Sequence, residues 1–268
     1  MRPNSTGGTL TINNAGGLIR ATGGSFNMRN GAYAITGGRF EIGAGGSVGQ
    51  QRVTTFTDVT VSNSGTWTSS NALNTVAPSV TLAGTSSFTN TGTFNLINES
   101  NLTSVDRLAE FVVSSSASLT NNGVINITRN NATLTGKNHQ AYLQMNASGF
   151  TNQGAINMTS YAGQEGIAQF RASQNFSNAG AITIDGPRSS IEMATRTFTQ
   201  SAGSLSLVNG GTMTAGSVLI NSGTLLGTGS INAPVTIGGI LSPGSDSGGA
   251  RAVVCVARPE PSLPLGRK

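Results

Sequence analysis

Apolar and polar residues alternate along most of this chain in short runs that return in nearly the same phrase. FTNQGAINM at 150–158 recurs as FTNTGTFNL at 88–96, LTNNGVINI at 119–127 and FSNAGAITI at 176–184. Seven glycines anchor these copies at separations of 27, 31, 31, 26, 23 and 20 residues: Gly65, Gly92, Gly123, Gly154, Gly180, Gly203 and Gly223. An internal repeat of this length is typical of solenoids, in which each unit packs on its neighbours.

The residues after each anchor glycine follow a period of two, with Thr, Asn, Ser or Ala between apolar residues. The apolar residues two positions after the glycines are Trp67, Phe94, Ile125, Ile156, Ile182, Leu205 and Leu225. This alternation predicts a short strand with one buried face. Another apolar residue stands four positions before most of the glycines, from Val61 to Leu219, and Phe198 stands five before.

A second strand is predicted before each phrase. The segments AEFVVS, LQMNAS, AQFRAS, IEMATR and GTMTAG align with one another and place five residues inside: Phe111, Met145, Phe170, Met193 and Met213. Their polar neighbours then point outwards in one predicted row, because successive side chains of a strand face opposite ways. The candidate surface residues in this row are Glu110, Gln144, Gln169 and Glu192.

An asparagine stands two residues before six of the seven anchor glycines. The six are Asn63, Asn90, Asn121, Asn152, Asn178 and Asn221, whereas Ser201 takes this place in the remaining copy. Asn tolerates the left-handed backbone conformation and glycine adopts it freely, so N-x-G is predicted to turn the chain between two strands. In a parallel stack with about 4.8 Å between coils, the amides are predicted to form a hydrogen-bonded ladder.

The predicted fold is all-β: a right-handed parallel β-helix of around ten coils, with irregular rungs of 20 to 31 residues. A helical repeat is excluded because apolar residues lack its three- and four-residue spacing, and each interior glycine would cost about 1 kcal/mol. A hairpin meander stays open, since N-x-G can also make a hairpin turn. The spacing of three N-terminal TGG phrases, which place Leu10, Phe26 and Phe40 inside, fits either tighter rungs or different faces of one coil.

Charge and cysteine content exclude several functional classes. The formal charge is +5, but residues 251–268 supply +3 of it, so no basic stripe remains to bind a nucleic acid. The single cysteine, Cys255, allows neither an internal disulfide nor a cysteine-based metal site. No apolar run reaches the roughly 18 residues of a membrane span. We expect no cofactor, and we expect any export signal to lie outside this chain.

The composition changes abruptly near the C-terminus, where Asn and Thr vanish and Pro and Arg appear. We therefore predict one parallel β-helix over residues 1–249. Residues 250–268 are predicted to be a disordered or non-native tail, such as the product of a shifted reading frame or a truncated gene.

One segment resembles a known family. It is SGTLLGTGSINAPVTIGGILSPGSDSGG at 222–249, and its motif residues are Leu226, Gly229, Ile231, Val235, Gly238, Gly239, Leu241, Pro243, Gly244 and Gly248. The segment resembles the closing repeat of bacterial autotransporter passenger domains, with their autotransporter-associated β-strand repeat. The Asn-Gly rungs upstream are similar to those of right-handed parallel β-helix adhesins. This resemblance implies secretion through a Gram-negative envelope and display at the cell surface, with the transporter outside this chain.

Three functions are compatible with these patterns. The first is a non-catalytic, adhesin-like structural rod whose partner is a host or environmental glycan or a surface protein. The second is a carbohydrate-active lyase or hydrolase, which requires clustered carboxylates. The nearest groupings, at 106–110 and 185–192, are interpreted as solvated charge pairs, and the only histidine, His139, as a corner-loop residue. The third is a binder of ice or another repeating solid, which the irregular rungs disfavour. We predict the first, with no catalytic or metal-binding residue.

Overall fold

The computed structural model of the chain describes residues 8–71, 78–99, 108–129, 139–161, 163 and 166–244, which contain thirty β-strands. The first fifteen are β1 (Thr9–Asn13), β2 (Leu18–Ala21), β3 (Ser25–Met28), β4 (Ala32–Thr36), β5 (Arg39–Ile42), β6 (Ser47–Gln50), β7 (Thr54–Thr57), β8 (Thr60–Asn63), β9 (Thr66–Ser70), β10 (Ser79–Ala83), β11 (Ser87–Asn90), β12 (Thr93–Asn98), β13 (Leu108–Val113), β14 (Ser118–Asn121) and β15 (Val124–Arg129). The others are β16 (Gln140–Met145), β17 (Gly149–Asn152), β18 (Ala155–Thr159), β19 (Ile167–Ala172), β20 (Phe176–Asn178), β21 (Ala181–Asp185), β22 (Ser189–Glu192), β23 (Thr197–Gln200), β24 (Ser204–Val208), β25 (Thr212–Thr214), β26 (Ser217–Ile220), β27 (Thr224–Gly227), β28 (Ser230–Asn232), β29 (Val235–Ile237) and β30 (Ile240–Pro243).

Three consecutive strands make one coil, and ten coils stack on one another. Each strand pairs in parallel with the strand three places further along the chain, which gives three sheets of ten strands. Sheet A starts with β1, sheet B with β2 and sheet C with β3. The predicted parallel β-helix is therefore confirmed, and the hairpin meander is excluded because the paired strands run in the same direction.

The three N-terminal TGG phrases lie on three different faces of the first two coils. Leu10 is in β1 of sheet A, Phe26 is in β3 of sheet C and Phe40 is in β5 of sheet B. Of the two possibilities that the spacing left open, the structure therefore shows different faces. The predicted boundary at residue 249 and the tail of residues 250–268 lie outside the described residues.

The core is a set of apolar columns that run along the inside of the three sheets. In sheet C, each residue two positions after an anchor glycine pairs with its counterpart one coil away, from Trp67 to Leu225. All seven of these side chains are at most 2% exposed. These seven strands of sheet C, each four to six residues long, thus bury their apolar faces against the neighbouring coils, as the period of two predicted.

Trp67 is the centre of an aromatic cluster in this core. Its ring lies 5.6–5.8 Å, between centroids, from Phe40, Phe56, Phe88 and Phe94. The indole Nε1 is buried without a hydrogen-bond partner within the described part of the chain. The cluster therefore stabilises the early coils through packing alone.

We expect Trp67→Ala to lower the free energy of unfolding by about 3 to 5 kcal/mol, because it leaves a cavity among four phenylalanines. Trp67→Phe is the matched control and is expected to cost less than about 1.5 kcal/mol, since it retains an aromatic ring and removes the unpaired N–H. Urea denaturation followed by circular dichroism measures both. Equal losses in the two variants would contradict this account of the cluster.

The register of sheet A differs from the sequence alignment in two segments. Phe111 pairs with Leu143, not with Met145, and Phe170 pairs with Ile191, not with Met193. The displacement is two residues, which keeps each side chain on the same face of its strand. All five residues predicted to point inwards are therefore buried, but they occupy two columns instead of one.

Five of the six predicted asparagines form a buried ladder in sheet B. Each Nδ2 donates to the Oδ1 of the next: Asn63 to Asn90 at 2.8 Å, Asn90 to Asn121 at 2.8 Å, Asn121 to Asn152 at 2.7 Å, and Asn152 to Asn178 at 2.6 Å. Asn178 then donates to Gln200 Oε1 at 2.9 Å, so a glutamine supplies the sixth amide. All six side chains have no exposed surface.

Asn221 does not belong to the ladder, and this prediction is wrong. The residue that pairs with Gln200 is Ile220, and Asn221 follows it in an exposed position. One extra residue before Gly223 shifts this strand, so Val218 and Ile220 are buried in place of the predicted Leu219. The ladder thus ends against Ile220 at one end and Ile42 at the other, where Asn63 Oδ1 has no hydrogen bond within the described residues.

Five of the seven anchor glycines are needed for a different reason from the one predicted, whereas Gly203 and Gly223 have the predicted left-handed backbone, with φ of 68° and 81°. None of the ladder asparagines has a positive φ, nor do the anchors Gly65, Gly92, Gly123, Gly154 and Gly180. A Cβ on each of these five glycines would lie 2.0–2.2 Å from the carbonyl oxygen of the glycine one coil below. The glycines therefore form a column in which backbone contacts backbone, with no room for a side chain.

One corner of the coil accounts for most of the variation in rung length. The connections from sheet A to B and from B to C never exceed four residues. The long connections all join sheet C to the next strand of sheet A, in four consecutive coils: 71–78, 99–107, 130–139 and 160–166. The predicted insertions at corners are thus concentrated along a single edge, which we call the C–A edge.

Candidate functional site

The four candidate surface residues lie on the outer side of sheet A, but they do not form one row. Glu110 and Gln169 share a column with Tyr142, whereas Gln144 and Glu192 share the neighbouring column with Arg171. This corrects the predicted single row and has the same cause as the register difference of sheet A. Glu110 and Glu192 are three coils apart, about 14 Å at the spacing of neighbouring strands.

Tyr142 contacts Glu110 on one side and Arg171 on the other. Its Oη donates a hydrogen bond to Glu110 Oε2, and the Arg171 guanidinium lies 4.5 Å from the centroid of its ring. Burial, together with the hydrogen bond to Glu110 and the charge of that carboxylate, raises the pKa of Tyr142 to about 12. Tyr142 is therefore a neutral hydrogen-bond donor at pH 7 and a poor general base.

Arg171 is held by neutral partners. Its Nε donates to Gln169 Oε1, its Nη2 donates to Gln140 Oε1 at 2.9 Å, and Tyr142 packs against the guanidinium. The ion pairs within the described ranges involve other residues, Arg20 and Arg39 with Glu41. The Arg171 guanidinium thus has no ion pair with a carboxylate of the described residues. The sequence alone does not indicate this arrangement, because Gln140 and Tyr142 are about thirty residues away along the chain.

Glu192 is half-buried and borders two adjacent cavities. One cavity has a volume of about 410 Å³ and is lined by Gln144, Arg171, Ala172, Ser173, Glu192, Met193, Ala194, Thr195 and Arg196. The other has a volume of about 230 Å³ and is lined by Ile167, Gln169, Pro187, Arg188, Ser190, Glu192 and Thr212. Burial raises the pKa of Glu192, against the opposing effects of the Arg171 charge and of hydrogen bonds from Ser190 and Thr214.

Polar side chains around these cavities form short networks. Gln144 Nε2 donates to Asn146 Oδ1 at 2.9 Å, and Ser173 Oγ donates to the same oxygen at 2.8 Å. Gln169, which is only 7% exposed, donates to Ser190 Oγ at 2.9 Å. The amides and hydroxyls are thus held in fixed positions beside Arg171 and Glu192. Such an arrangement suits the binding of a polar ligand by several hydrogen bonds.

The remaining candidates from the sequence do not join this cluster. His139 is the last residue of the 130–139 connection at the C–A edge, which agrees with the predicted corner position, and its side chain is buried. Asp185 accepts a hydrogen bond from Asn209 at 2.7 Å, and residues 106–107 lie outside the described residues. The described ranges hold no group of three His, Cys, Asp or Glu residues placed to bind a metal, and no helix able to cross a membrane.

A second asparagine row, on the outer side of sheet C, was missed. Asn126 donates to Asn95 Oδ1 at 2.8 Å and Asn157 donates to Asn126 Oδ1 at 3.0 Å. The signal is an Asn followed directly by Leu, Ile or Met, three residues after Gly92, Gly123 and Gly154, because it places Asn95, Asn126 and Asn157 in register. The row leaves the outer face of sheet C polar and uncharged at these coils.

The motif that resembles the autotransporter closing repeat forms the last described strands, β27 to β30, while Gly248 lies outside the described residues. Comparison with protein-family models, with curated proteins and with solved structures finds no match to this chain.

Proposed function

We propose that this chain is a non-catalytic structural rod of a secreted or surface-displayed bacterial protein, an adhesin-like passenger fragment of the autotransporter type. The observation that carries the proposal is the continuous register of the coils. The asparagine ladder and the glycine column each join successive coils through their interior. A stack tied together in this way is suited to holding a binding surface at a fixed distance from its point of attachment.

The outer face of sheet B is polar along much of the rod, which suits a surface exposed to water. The outward positions of sheet B carry a row of hydroxyl side chains: Ser62, Thr89, Thr120, Thr151, Ser177 and Thr199. Thr197 and Thr199 are the one T-x-T pair on this face between β8 and β23, which gives little support to a binder of ice or another solid. On sheet B, Arg20 and Arg39 are both paired with Glu41, whereas Arg171 on sheet A has no ion pair within the described residues, so an adhesive site on sheet A has a charge available for contacts.

A carbohydrate-active enzyme is the second candidate, and the raised pKa of Glu192 favours it. A carboxyl group with a raised pKa beside a cavity is a candidate general acid. Glycoside hydrolysis uses two carboxylates about 5 to 10 Å apart. Glu110, the other carboxylate of this face, is farther away and is hydrogen-bonded to Tyr142. The geometry therefore supports binding better than turnover.

We expect the purified chain to bind glycans on an array saturably and to release no reducing sugar from the polysaccharides it binds. Glu192→Gln is the control variant, because an enzyme that uses this acid would lose its turnover while an adhesin has none to lose. Release of reducing ends or of unsaturated products by the original chain, abolished in Glu192→Gln, would contradict the non-catalytic rod and support the enzyme.

A further inference from the structure

We propose that the cavities beside Glu192 bind a carboxylate-bearing oligosaccharide, with Arg171 as the residue that holds the ligand's carboxylate. We call this surface the Arg171 site and define it by Gln144, Arg171, Ser173, Glu192 and Arg196. The inference rests on the proposed adhesin-like function and names the class of ligand that it would bind.

Arg171 is positioned in advance for an anionic group. Two of its nitrogens, Nε and Nη2, bind Gln169 and Gln140, and the Tyr142 ring packs against its plane. Its Nη1 makes no hydrogen bond within the described residues. Because the fixed partners are neutral, the positive charge is not cancelled by contact, and a ligand carboxylate gains the strong planar interaction that guanidinium groups favour.

The charge around the two cavities also favours an anion. Arg171 and Arg196 line the larger cavity and Arg188 lines the smaller one, whereas Glu192 is the single acidic residue in both linings. Arg188 and Arg196 are exposed, so both can turn towards a bound ligand. An excess of positive charge in a concave surface attracts anionic ligands and raises their association rates.

The rest of the lining favours a sugar. The ordered groups near Arg171 are neutral amides and hydroxyls, Gln144, Ser173, Gln169 and Ser190, which can each donate and accept as sugar hydroxyls do. Apolar surface from Ile167, which is half-buried and lines the smaller cavity, can meet the face of a sugar ring. Since both cavities border Glu192, a ligand longer than one sugar unit can extend across them.

The test uses the whole chain and isothermal titration with a hexuronate oligosaccharide and its carboxyl-reduced, neutral counterpart. We expect Arg171→Gln to weaken hexuronate binding about tenfold or more, as expected for a lost charge-assisted hydrogen bond. Arg196→Gln should weaken it by a smaller factor without affecting folding, because Arg196 is exposed. Arg29→Gln, an equal loss of charge on a distant exposed residue, is the control and should leave the affinity unchanged.

Glu192→Gln is expected to change the affinity for the hexuronate in the opposite direction. Removing the single negative charge of the site should tighten hexuronate binding several-fold at pH 7. The groups that face Glu192 are Arg171 on β19, the uncharged Thr214 on β25, and the flanking Arg188 and Arg196. Because burial raises the pKa of Glu192 above its ordinary value, protonation of this carboxyl should also tighten binding as the pH falls below 7. Glu192→Gln should lose this dependence.

The outcomes separate the two proposals. Hexuronate binding that is no tighter than binding of the neutral counterpart, or that is unchanged in both Arg171→Gln and Arg196→Gln, overturns the Arg171 site and leaves the rod proposal standing. Absence of binding to either sugar also overturns the site. Cleavage of the oligosaccharide overturns the non-catalytic function instead, whichever residue holds the carboxylate.

Discussion

Asn121→Asp is expected to lower the free energy of unfolding at pH 7 by about 3 to 5 kcal/mol, the size of effect seen when a buried charge lacks a partner. Asn121 donates to Asn152 Oδ1 and to the carbonyl oxygen of Ala155 at 3.0 Å. A carboxylate at this position would instead face both acceptors with no hydrogen to donate. Urea denaturation followed by circular dichroism measures the loss.

The loss of stability in Asn121→Asp should increase as the pH rises. Burial raises the pKa of the introduced carboxyl above its unfolded value of about 3.9. The destabilisation is therefore small below about pH 4, where both states are protonated, and grows as the pH rises. Asn221→Asp is the matched control: this asparagine is exposed and outside the ladder, so the change should cost less than about 0.5 kcal/mol. Similar losses in the two variants would show that the ladder does not stabilise the stack.

Gly123→Ala is expected to destabilise the chain by about 3 kcal/mol or more, a loss characteristic of overpacking at a site that cannot relax. The added Cβ would lie 2.2 Å from the carbonyl oxygen of Gly92, so the backbone of one coil must move away from the next. That movement also strains the neighbouring ladder, because Gly123 N donates to the carbonyl oxygen of Asn90 at 3.0 Å. Thermal unfolding and hydrogen exchange of the central coils measure the effect.

Gly24→Ala is the control for this prediction. Nothing lies within 4 Å of a Cβ at Gly24, and its φ is not positive. The change should therefore be neutral or stabilise by up to about 1 kcal/mol through the unfolded state. A Gly123→Ala variant as stable as Gly24→Ala would mean that neighbouring coils can move apart at this position without a loss of stability.

The sequence predicted correctly which side chains of a strand face inwards, because an alternating pattern can place its apolar residues on only one side of the strand or the other. Met145 and Met193 were assigned to the correct face although each was aligned two residues away from its true partner. An alignment that is displaced by two buries the same side chains, so apolar residues alone cannot detect the error. The true register depends on the lengths of the turns between sheets, which a repeated phrase does not reveal.

Asn221 and the anchor glycines show what residue identity leaves undetermined. Asn221 precedes its glycine as the other asparagines do, but one extra residue turns its side chain to the solvent. Gly123 was expected to have a positive φ, but it is required at this position because there is no room for a side chain. Arg171 was missed because Tyr142 and Gln140 reach it only once the coils are stacked.

The C–A edge lets the rod vary without losing its fold. Sheet B and its corner with sheet C carry the ladder and the glycine column, and the connections there and between sheets A and B are only two to four residues long. The connections at the C–A edge are longer in four consecutive coils, and at the start of one of them Asn71 is buried and donates to Asn98 Oδ1 of the next coil at 2.7 Å. We therefore expect added sequence to be accommodated within the long connections of the C–A edge, beside the outer face of sheet A that holds the Arg171 site.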